Sequence, residues 1–539
     1  MKKIHSLLLA VLSGLLFSTA WPVHGFAPLL FVAFVPLFFV EQAVADKAYK
    51  YSFIKILPYA YVAFLIWNVL TTYWVLYSTS VGGIFAMAVN SLFMAIVFSL
   101  GHVSKKRLGK AAGNVAIASY WMAFEYLHLK WELTWPWLSL GNGFSEYFKW
   151  IQWYDYTGIF GGAVWIFVMN FMIYNILRKI IVEKEPLSSQ VKSIAISALV
   201  LIVPIGISLW KYYSYDETSN PRKVVVVQPN IDPYNEKFEG MTAADQLEKL
   251  LALAEQKLDT NTDFLVGPET ALVQGVWENH TEDAPAIKRL RVFLEKYPKL
   301  KIVVGLSSYR MFFKGDKIPV TARRYRGQDM WFDAYNTAML MEKGKPVVYY
   351  HKSKLVPGVE RMPYPAVFKF LEPMAINLGG MSGSLGTQKE RTVFFSSDDS
   401  IGVAPEICYE SIYGDYATEY IRKGANFIFI ITNDGWWKDT PGHRQHCSYA
   451  RLQAIEMRRS VARSANTGTS CFINQRGDMQ QATKWWVPTV IAADVNANDK
   501  LTFYARFGDY IARVAVMMTA LLLLWTITTA LNKTKRRLG

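Results

Sequence analysis

Cysteine is scarce in this chain: Cys408, Cys447 and Cys471 are the only three in 539 residues. So sparse and odd a set builds no disulfide framework, even in an oxidising compartment, and it leaves at least one thiol unpaired within the chain. A reactive cysteine is therefore worth seeking. Metal-ligand spacing is lacking too. Asp434, His443 and His446 share one stretch without the spacing of a metal centre, so no metal and no cofactor is expected. Neither a basic helix nor a recognised motif accompanies the formal net charge of +15, which argues against a nucleic-acid partner.

Apolar surface is abundant. Hydrophobic residues make up 52% of the chain and aromatics 15%, the level of a membrane protein rather than of a soluble enzyme. The excess falls in residues 1–210 and 510–531, whereas 222–495 has the texture of a globular domain. A bilayer core needs about 20 apolar residues of helix, because the rise is about 1.5 Å per residue. Spans are expected near 6–21, 26–42, 55–77, 82–102, 114–129, 158–177, 193–210 and 510–531. The fifth is the weakest, since Glu125 and His128 interrupt it and charge at that depth needs a partner. The first follows Met1-Lys2-Lys3 in the manner of a secretory signal, but no small-x-small cleavage site follows, so a retained helix is expected. The predicted organisation is a seven-helix domain over 1–210, a catalytic domain over 222–495 and a closing helix over 510–531.

Basic residues give the orientation. Lys2 and Lys3, Lys47 to Lys55, Lys105 to Lys110, Arg178 to Lys192 and Lys533 to Arg537 all fall on one side if seven spans precede the domain. Positive loops stay in the cytoplasm, so the globular part is expected outside it and the C-terminus inside. Trp131, Trp135, Trp137, Trp150 and Trp153 crowd the outer loop 130–157, where aromatic rings favour the headgroup level.

From Lys223 onward, short β-rich runs alternate with helical ones, the pattern of an α/β domain. Strands are expected at 224–227, 263–266, 301–306, 336–341, 346–351, 401–404, 425–432, 470–474 and 490–495, with helices at 242–258, 284–296 and 443–464. Glu269, Lys352 and Cys408 each end or closely follow such a run, and side chains at strand carboxyl ends converge on one crevice in α/β folds. Their chemistry is complementary. A thiol attacks as thiolate, a carboxylate takes its proton and returns it to the leaving group, and an ammonium stabilises an oxyanion. No histidine occupies a comparable position: alternation points His351 to the face opposite Lys352. Taken singly, each residue has an ordinary explanation as core cysteine or surface charge.

The surrounding sequence lifts the set. Gly267-Pro268-Glu269-Thr270, His351-Lys352-Ser353-Lys354-Leu355-Val356-Pro357 and Ile407-Cys408-Tyr409-Glu410-Ser411 resemble the Glu, Lys and Cys blocks of the nitrilase superfamily. Within it the resemblance is to the apolipoprotein N-acyltransferase family. Trp135-Pro136-Trp137-Leu138, Gly158-Ile159-Phe160-Gly161-Gly162, Asn170 and Gln228-Pro229-Asn230-Ile231 are similar to that family as well, so the likeness covers nearly the whole chain. It implies a nitrilase-like αββα sandwich inserted before the last of eight transmembrane helices. Glu269 would be general base, Lys352 oxyanion stabiliser and Cys408 nucleophile. Glu360, Tyr409 and Glu410 would support them. Phe238, where the family usually has Trp, would join Trp436 and Trp437 around the substrate. After the lysine block, Pro357-Gly358-Val359-Glu360 replaces the family's usual Pro-Phe-Gly-Glu.

The resemblance also implies a ping-pong reaction in the bacterial inner membrane, with the domain on the periplasmic side. A phospholipid, typically phosphatidylethanolamine, would acylate Cys408, and the diacylglyceryl-cysteine of an apolipoprotein would accept the chain. Two other readings compete. One is a membrane-tethered amidase of the nitrilase type acting on a small amide. The other is a non-catalytic membrane scaffold or transporter, and it is disfavoured because all three triad residues are present.

Overall fold

Apolar residues from both ends of the chain gather into one unit, Met1–Leu76 with Ser80–Ser214 and Phe507–Gly539, while Tyr77–Thr79 and Tyr215–Arg506 form another. The computed structural model describes residues 2–47, 49–238, 240–325, 329–364 and 384–538.

In the first unit seven helices, among the described residues, are long and apolar enough to cross a bilayer. They are Lys3–Ala20, Ala27–Asp46, Ser52–Thr72, Ser80–Leu108, Ile159–Ile181, Leu187–Ser214 and Tyr510–Asn532. The weak fifth candidate is also helical, over Lys110–His128, but it falls outside that set because polar side chains interrupt it. Those side chains have partners. Glu125 accepts from Trp121 Nε1 at 2.8 Å and from the Leu140 amide at 2.9 Å, and His128 Nε2 meets Asn90 Oδ1 at 2.8 Å. Of the loop tryptophans, Trp137 is buried, its ring edge-on to Trp74 at 4.7 Å, while the other four are half-buried.

In the second unit the strands are β1 (Pro221–Gln228), β2 (Phe264–Val266), β3 (Leu272–Trp277), β4 (Lys301–Phe312), β5 (Arg323–Arg324), β6 (Trp331–Met341) and β7 (Val348–His351). Then follow β8 (Phe394–Phe395), β9 (Gly402–Ile407), β10 (Ala425–Thr432), β11 (Ser460–Ala465), β12 (Cys471–Ile473), β13 (Met479–Gln480) and β14 (Thr489–Asn496). One sheet runs β14-β1-β2-β4-β6-β5, with β3 on β4 and β7 on β6; the other runs β13-β12-β11-β10-β9-β8. The pairs β1–β2, β2–β4, β9–β10 and β10–β11 are parallel, so their carboxyl ends lie together.

Alternation decides what each face covers. Val225, Val227, Leu265, Ile302 and Val304 pack with Leu247, Leu250 and Leu251 of the helix Ala243–Glu255 and with Ile287, Leu290 and Phe293 of Pro285–Lys296. The opposite face of β2 presents Phe264 to Phe429 and Phe427 of the second sheet, with centroids 5.4 and 6.3 Å apart. The helix Pro441–Met457 packs on the second sheet and is buried along nearly its whole length. Helix, sheet, sheet and helix thus stack as a nitrilase-like αββα sandwich.

The structure departs from the expected elements at one long stretch. Helix was expected to run from 443 to 464, but it stops at Met457, with Arg458 in the left-handed region (φ 49°), and 460–465 is β11. The helix Gly414–Arg422 and the strand β3 were not anticipated.

Candidate active site

Three strand ends deliver the three expected side chains. After β2, the Gly267 amide bonds Val303 O at 2.9 Å and the Gly305 amide bonds Pro268 O at 3.1 Å, so the segment before Glu269 lies flat along β4. That approach needs a glycine: a Cβ on residue 305 would sit 2.6 Å from Glu269 Cα and from the Thr270 nitrogen. Gly305→Ala is expected to displace the Glu269 backbone. Overpacking of this kind costs about 1–3 kcal/mol, and a misplacement near 1 Å costs up to about 100-fold in rate. Thermal unfolding and initial rates on the same preparation check both effects.

Lys352 follows β7, and its amide bonds Asn336 O at 2.8 Å. Cys408 follows β9 as the first residue of a 3₁₀ turn, Cys408–Ile412, with φ at 51°. A non-glycine residue in that region is held there by its surroundings. Ser411 Oγ donates to Cys408 O at 2.8 Å, His446 Nε2 lies 3.0 Å from the same oxygen, and Glu410 Oε2 accepts from the Ile407 amide at 2.9 Å.

The side chains meet in a cavity of about 140 Å³ whose lining includes Lys237, Phe238, Glu269, Asn336, Lys352, Glu360, Cys408, Asn433, Trp436 and Trp437. Lys352 Nζ is 3.0 Å from Glu269 Oε1 and 2.9 Å from Glu360 Oε1. Asn336 Nδ2 donates to the same two oxygens at 2.7 and 3.0 Å. The other Glu269 oxygen accepts from the Asn433 amide at 3.1 Å, and the other Glu360 oxygen from the Val356 amide at 2.8 Å. Each carboxylate is thus fixed at both oxygens.

The charges act on one another. Burial works to raise the Glu269 pKa, but the Lys352 ammonium and the Asn336 amide hold it below the ordinary value. Burial works to lower Lys352, yet Glu269 and Glu360 drive it well above normal. The Cys408 thiol is pushed far up, first by burial and then by the Glu269 charge, with Lys352 only partly opposing. At rest, therefore, the sulfur keeps its proton beside an ionised carboxylate, and deprotonation has to accompany bond formation.

The remaining expected residues divide. Phe238, Trp436 and Trp437 line the cavity, and Phe238 is half-exposed, at 40%. Tyr409 is buried, edge-on to Tyr413 at 5.4 Å, and is not among the lining residues. His351 stacks on Tyr335 at 3.9 Å and meets Glu278 at 2.6 Å, also outside the lining. Glu410 never reaches the cavity. It accepts from Tyr350 and Tyr416 hydroxyls at 2.6 Å each and from the Ser353 amide at 2.7 Å, tying the lysine segment to the nucleophile turn. Glu410→Gln is expected to cost about 2–4 kcal/mol, because an amide nitrogen would face donors in a buried site. A fall in the unfolding midpoint together with slower acyl-enzyme formation checks it.

Sequence reading missed Lys237, Asn336 and Asn433, and it dismissed the Asp434–His446 pair. Lys237 Nζ donates to the Glu269 carbonyl at 3.1 Å and is pushed down to about 8 by burial, against the pull of Glu269. Asn433 follows β10, so the strand-end rule that found the triad also points to it. Asp434 and His446 hold no metal: among the described residues no cluster suits one. Instead Asp434 Oδ1 meets His446 Nδ1 at 3.0 Å and Oδ2 accepts from Arg463 at 2.7 Å. Burial opposes the charge on Asp434, but Arg463 and His446 hold its carboxyl well below the usual range. This buried cluster braces the backbone of the cysteine from beneath.

Residues 223–500, just over half the chain, match the model of the carbon-nitrogen hydrolase family, and the chain belongs to that family. Residues 13–172 match the apolipoprotein N-acyltransferase N-terminal domain. The chain is 29% identical over 530 residues to the apolipoprotein N-acyltransferase of Chlorobaculum tepidum, covering 96% of this chain and 95% of that one. It is 28% identical over 527 residues to the apolipoprotein N-acyltransferase of Geobacter metallireducens, covering 94% and 93%. Among solved structures it is similar to Nit3 of Saccharomyces cerevisiae, a nitrilase-superfamily member, at TM-score 0.37 and 15% identity over 52% of this chain and 93% of that one. Within the carbon-nitrogen hydrolases its place is therefore among the apolipoprotein N-acyltransferases.

Proposed function

We propose that the protein moves an acyl chain from a phospholipid, through a thioester on Cys408, to the α-amino group of the N-terminal diacylglyceryl-cysteine of bacterial apolipoproteins. The observation that carries this reading is the buried Glu269–Lys352–Glu360 ion cluster sharing one cavity with the Cys408 thiol. As the sulfur attacks the ester carbonyl, its proton passes to Glu269. The Lys352 ammonium neutralises the oxyanion. Collapse breaks the ester C–O bond, and Glu269 returns the proton to the departing lysophospholipid oxygen. In the second half the neutral amine attacks the thioester, Glu269 takes the N–H proton, and it re-protonates the sulfur as the C–S bond breaks. Splitting the transfer through a thioester replaces one difficult step with two easier ones.

The anchor follows from the substrates. At about 0.8 kcal/mol per buried methylene, two-chain lipids hardly leave a bilayer, so the enzyme has to work at its surface. We place seven spans in 1–210 by counting Lys110–His128 among them, then the catalytic domain over 222–495 and an eighth span over 510–531. With that count every basic segment lies on the cytoplasmic side, the catalytic domain is periplasmic and the C-terminus cytoplasmic in a bacterial inner membrane. Phosphatidylethanolamine is the expected donor. The cavity is small beside the roughly 300–1,000 Å³ of ordinary ligand pockets, so it takes the reacting ester and leaves the chains to a lipid phase. Phe238, Trp436 and Trp437 would contact them there.

Purified enzyme given phospholipid and a diacylglyceryl-cysteine peptide is expected to add one acyl mass to the peptide and release lysophospholipid. A tethered amidase would pass the chain to water, giving free fatty acid and an unchanged peptide; such an enzyme needs one span, whereas this chain has seven long apolar helices.

A further inference from the structure

Cys447 and Cys471 take no part in the proposed reaction, yet the fold brings them together. Cys447 lies on the helix Pro441–Met457 and Cys471 opens β12; both are buried, and their sulfurs are 3.9 Å apart across 24 positions of sequence. No other sulfur–sulfur contact occurs among the described residues, and Cys408 stands alone in its cavity. A disulfide bond is about 2.05 Å long, so joining them requires a closure of about 1.9 Å, shared between two side chains. We propose that Cys447 and Cys471 form a native disulfide, which divides the three thiols into one cross-link and one free nucleophile. The proposal rests on the periplasmic placement given above, since disulfides persist in oxidising compartments.

The chemistry balances with a dithiol-oxidising disulfide of the exchange type as acceptor. One cysteine thiolate attacks the acceptor disulfide, forms a mixed disulfide and expels one acceptor thiol. The second cysteine then attacks the mixed disulfide and expels the other. Two cysteine protons and two electrons end on the two acceptor thiols. Exchange takes place during folding, before the pair is covered. Its product has a use at the site. Cys471 is the ladder partner of Arg463, and Cys447 adjoins His446, so the cross-link joins the two elements whose Arg463 and His446 grip Asp434 beneath the Cys408 carbonyl. It also withdraws the two spare thiols from pairing with Cys408.

The test uses the full chain from cells quenched in acid and alkylated with N-ethylmaleimide under denaturing conditions without reductant. One alkyl group per chain is expected, on Cys408, with a cross-linked peptide pair containing Cys447 and Cys471. Cys408→Ala protein is expected to take none. Three alkyl groups on the native chain overturn the cross-link. The compartment is read separately with Thr260→Cys, at an exposed position, and a membrane-impermeant maleimide applied to cells with a permeabilised outer membrane. Labelling there together with three free native thiols removes the disulfide alone; no labelling removes the periplasmic placement itself.

Discussion

Cys408→Ala is expected to abolish acyl transfer, by about 10⁴-fold or more, the scale on which loss of a nucleophile acts in enzymes whose residues work as a unit. The size follows from position rather than from intrinsic reactivity. Cys408 is pushed far above an ordinary thiol by burial and by Glu269, so it is a poor nucleophile until the carboxylate takes its proton. No second nucleophile is available at the site: Cys447 and Cys471 are buried against each other. Cys408→Ser keeps the shape and is expected to fail almost as completely, because a serine hydroxyl is harder still to deprotonate. Rates measured with radiolabelled phospholipid, beside matched unfolding midpoints, separate this loss from misfolding.

Glu269→Gln and Lys352→Met are expected to reduce transfer strongly while moving the thiol in opposite directions. Removing the Glu269 charge removes one of the two influences that raise Cys408, so its pKa falls and iodoacetamide alkylates it faster at a given pH. Transfer still drops by about 10²–10⁴, because the general base is gone. Removing the Lys352 ammonium takes away the one listed charge that favours the thiolate, so alkylation slows. Transfer drops by about 10²–10³ as the oxyanion loses its partner. The acid limb of the rate profile carries a further sign. Glu269 must be ionised to act, and its pKa lies below the ordinary glutamate value because Lys352 outweighs burial. Activity is therefore expected to persist below that value in the native enzyme, and the limb moves to higher pH in Lys352→Met. Equal alkylation rates in both variants would contradict this electrostatic account.

Much of the site was legible because catalytic side chains at strand ends leave a local trace: an apolar β run, then a polar residue in a short loop. Glu269, Lys352 and Cys408 all carry it, and so does Asn433. Asn336 does not. It sits inside β6, where its neighbours read as ordinary strand, and only the β6–β7 pairing brings it against Glu269 and Glu360. Glu410 was read as a residue flanking the nucleophile, but its job of joining two distant segments needs Tyr350 and Ser353, which lie far away in sequence.

The helix expected to continue to 464 shows the limit of local signals. Met457-Arg458-Arg459-Ser460 contains no glycine, proline or asparagine to mark an end, and the stop comes from Arg458 turning left-handed and Arg459 bonding the Ala425 carbonyl. Strand β3 escaped notice because its pairing with β4 is irregular, with a register shift between Leu272 and Val276. The helix Lys110–His128 was ambiguous for a related reason. Glu125 and His128 look prohibitive in a bilayer until Leu140 and Asn90 supply their partners.

Intact-mass analysis of the purified enzyme incubated with phospholipid, without acceptor, addresses the central claim directly. One acyl group is expected on the chain, mapped to the peptide containing Cys408 and discharged when a diacylglyceryl-cysteine peptide is added. An acyl group on any other residue, or peptide acylation with Cys408 never modified, would contradict the account.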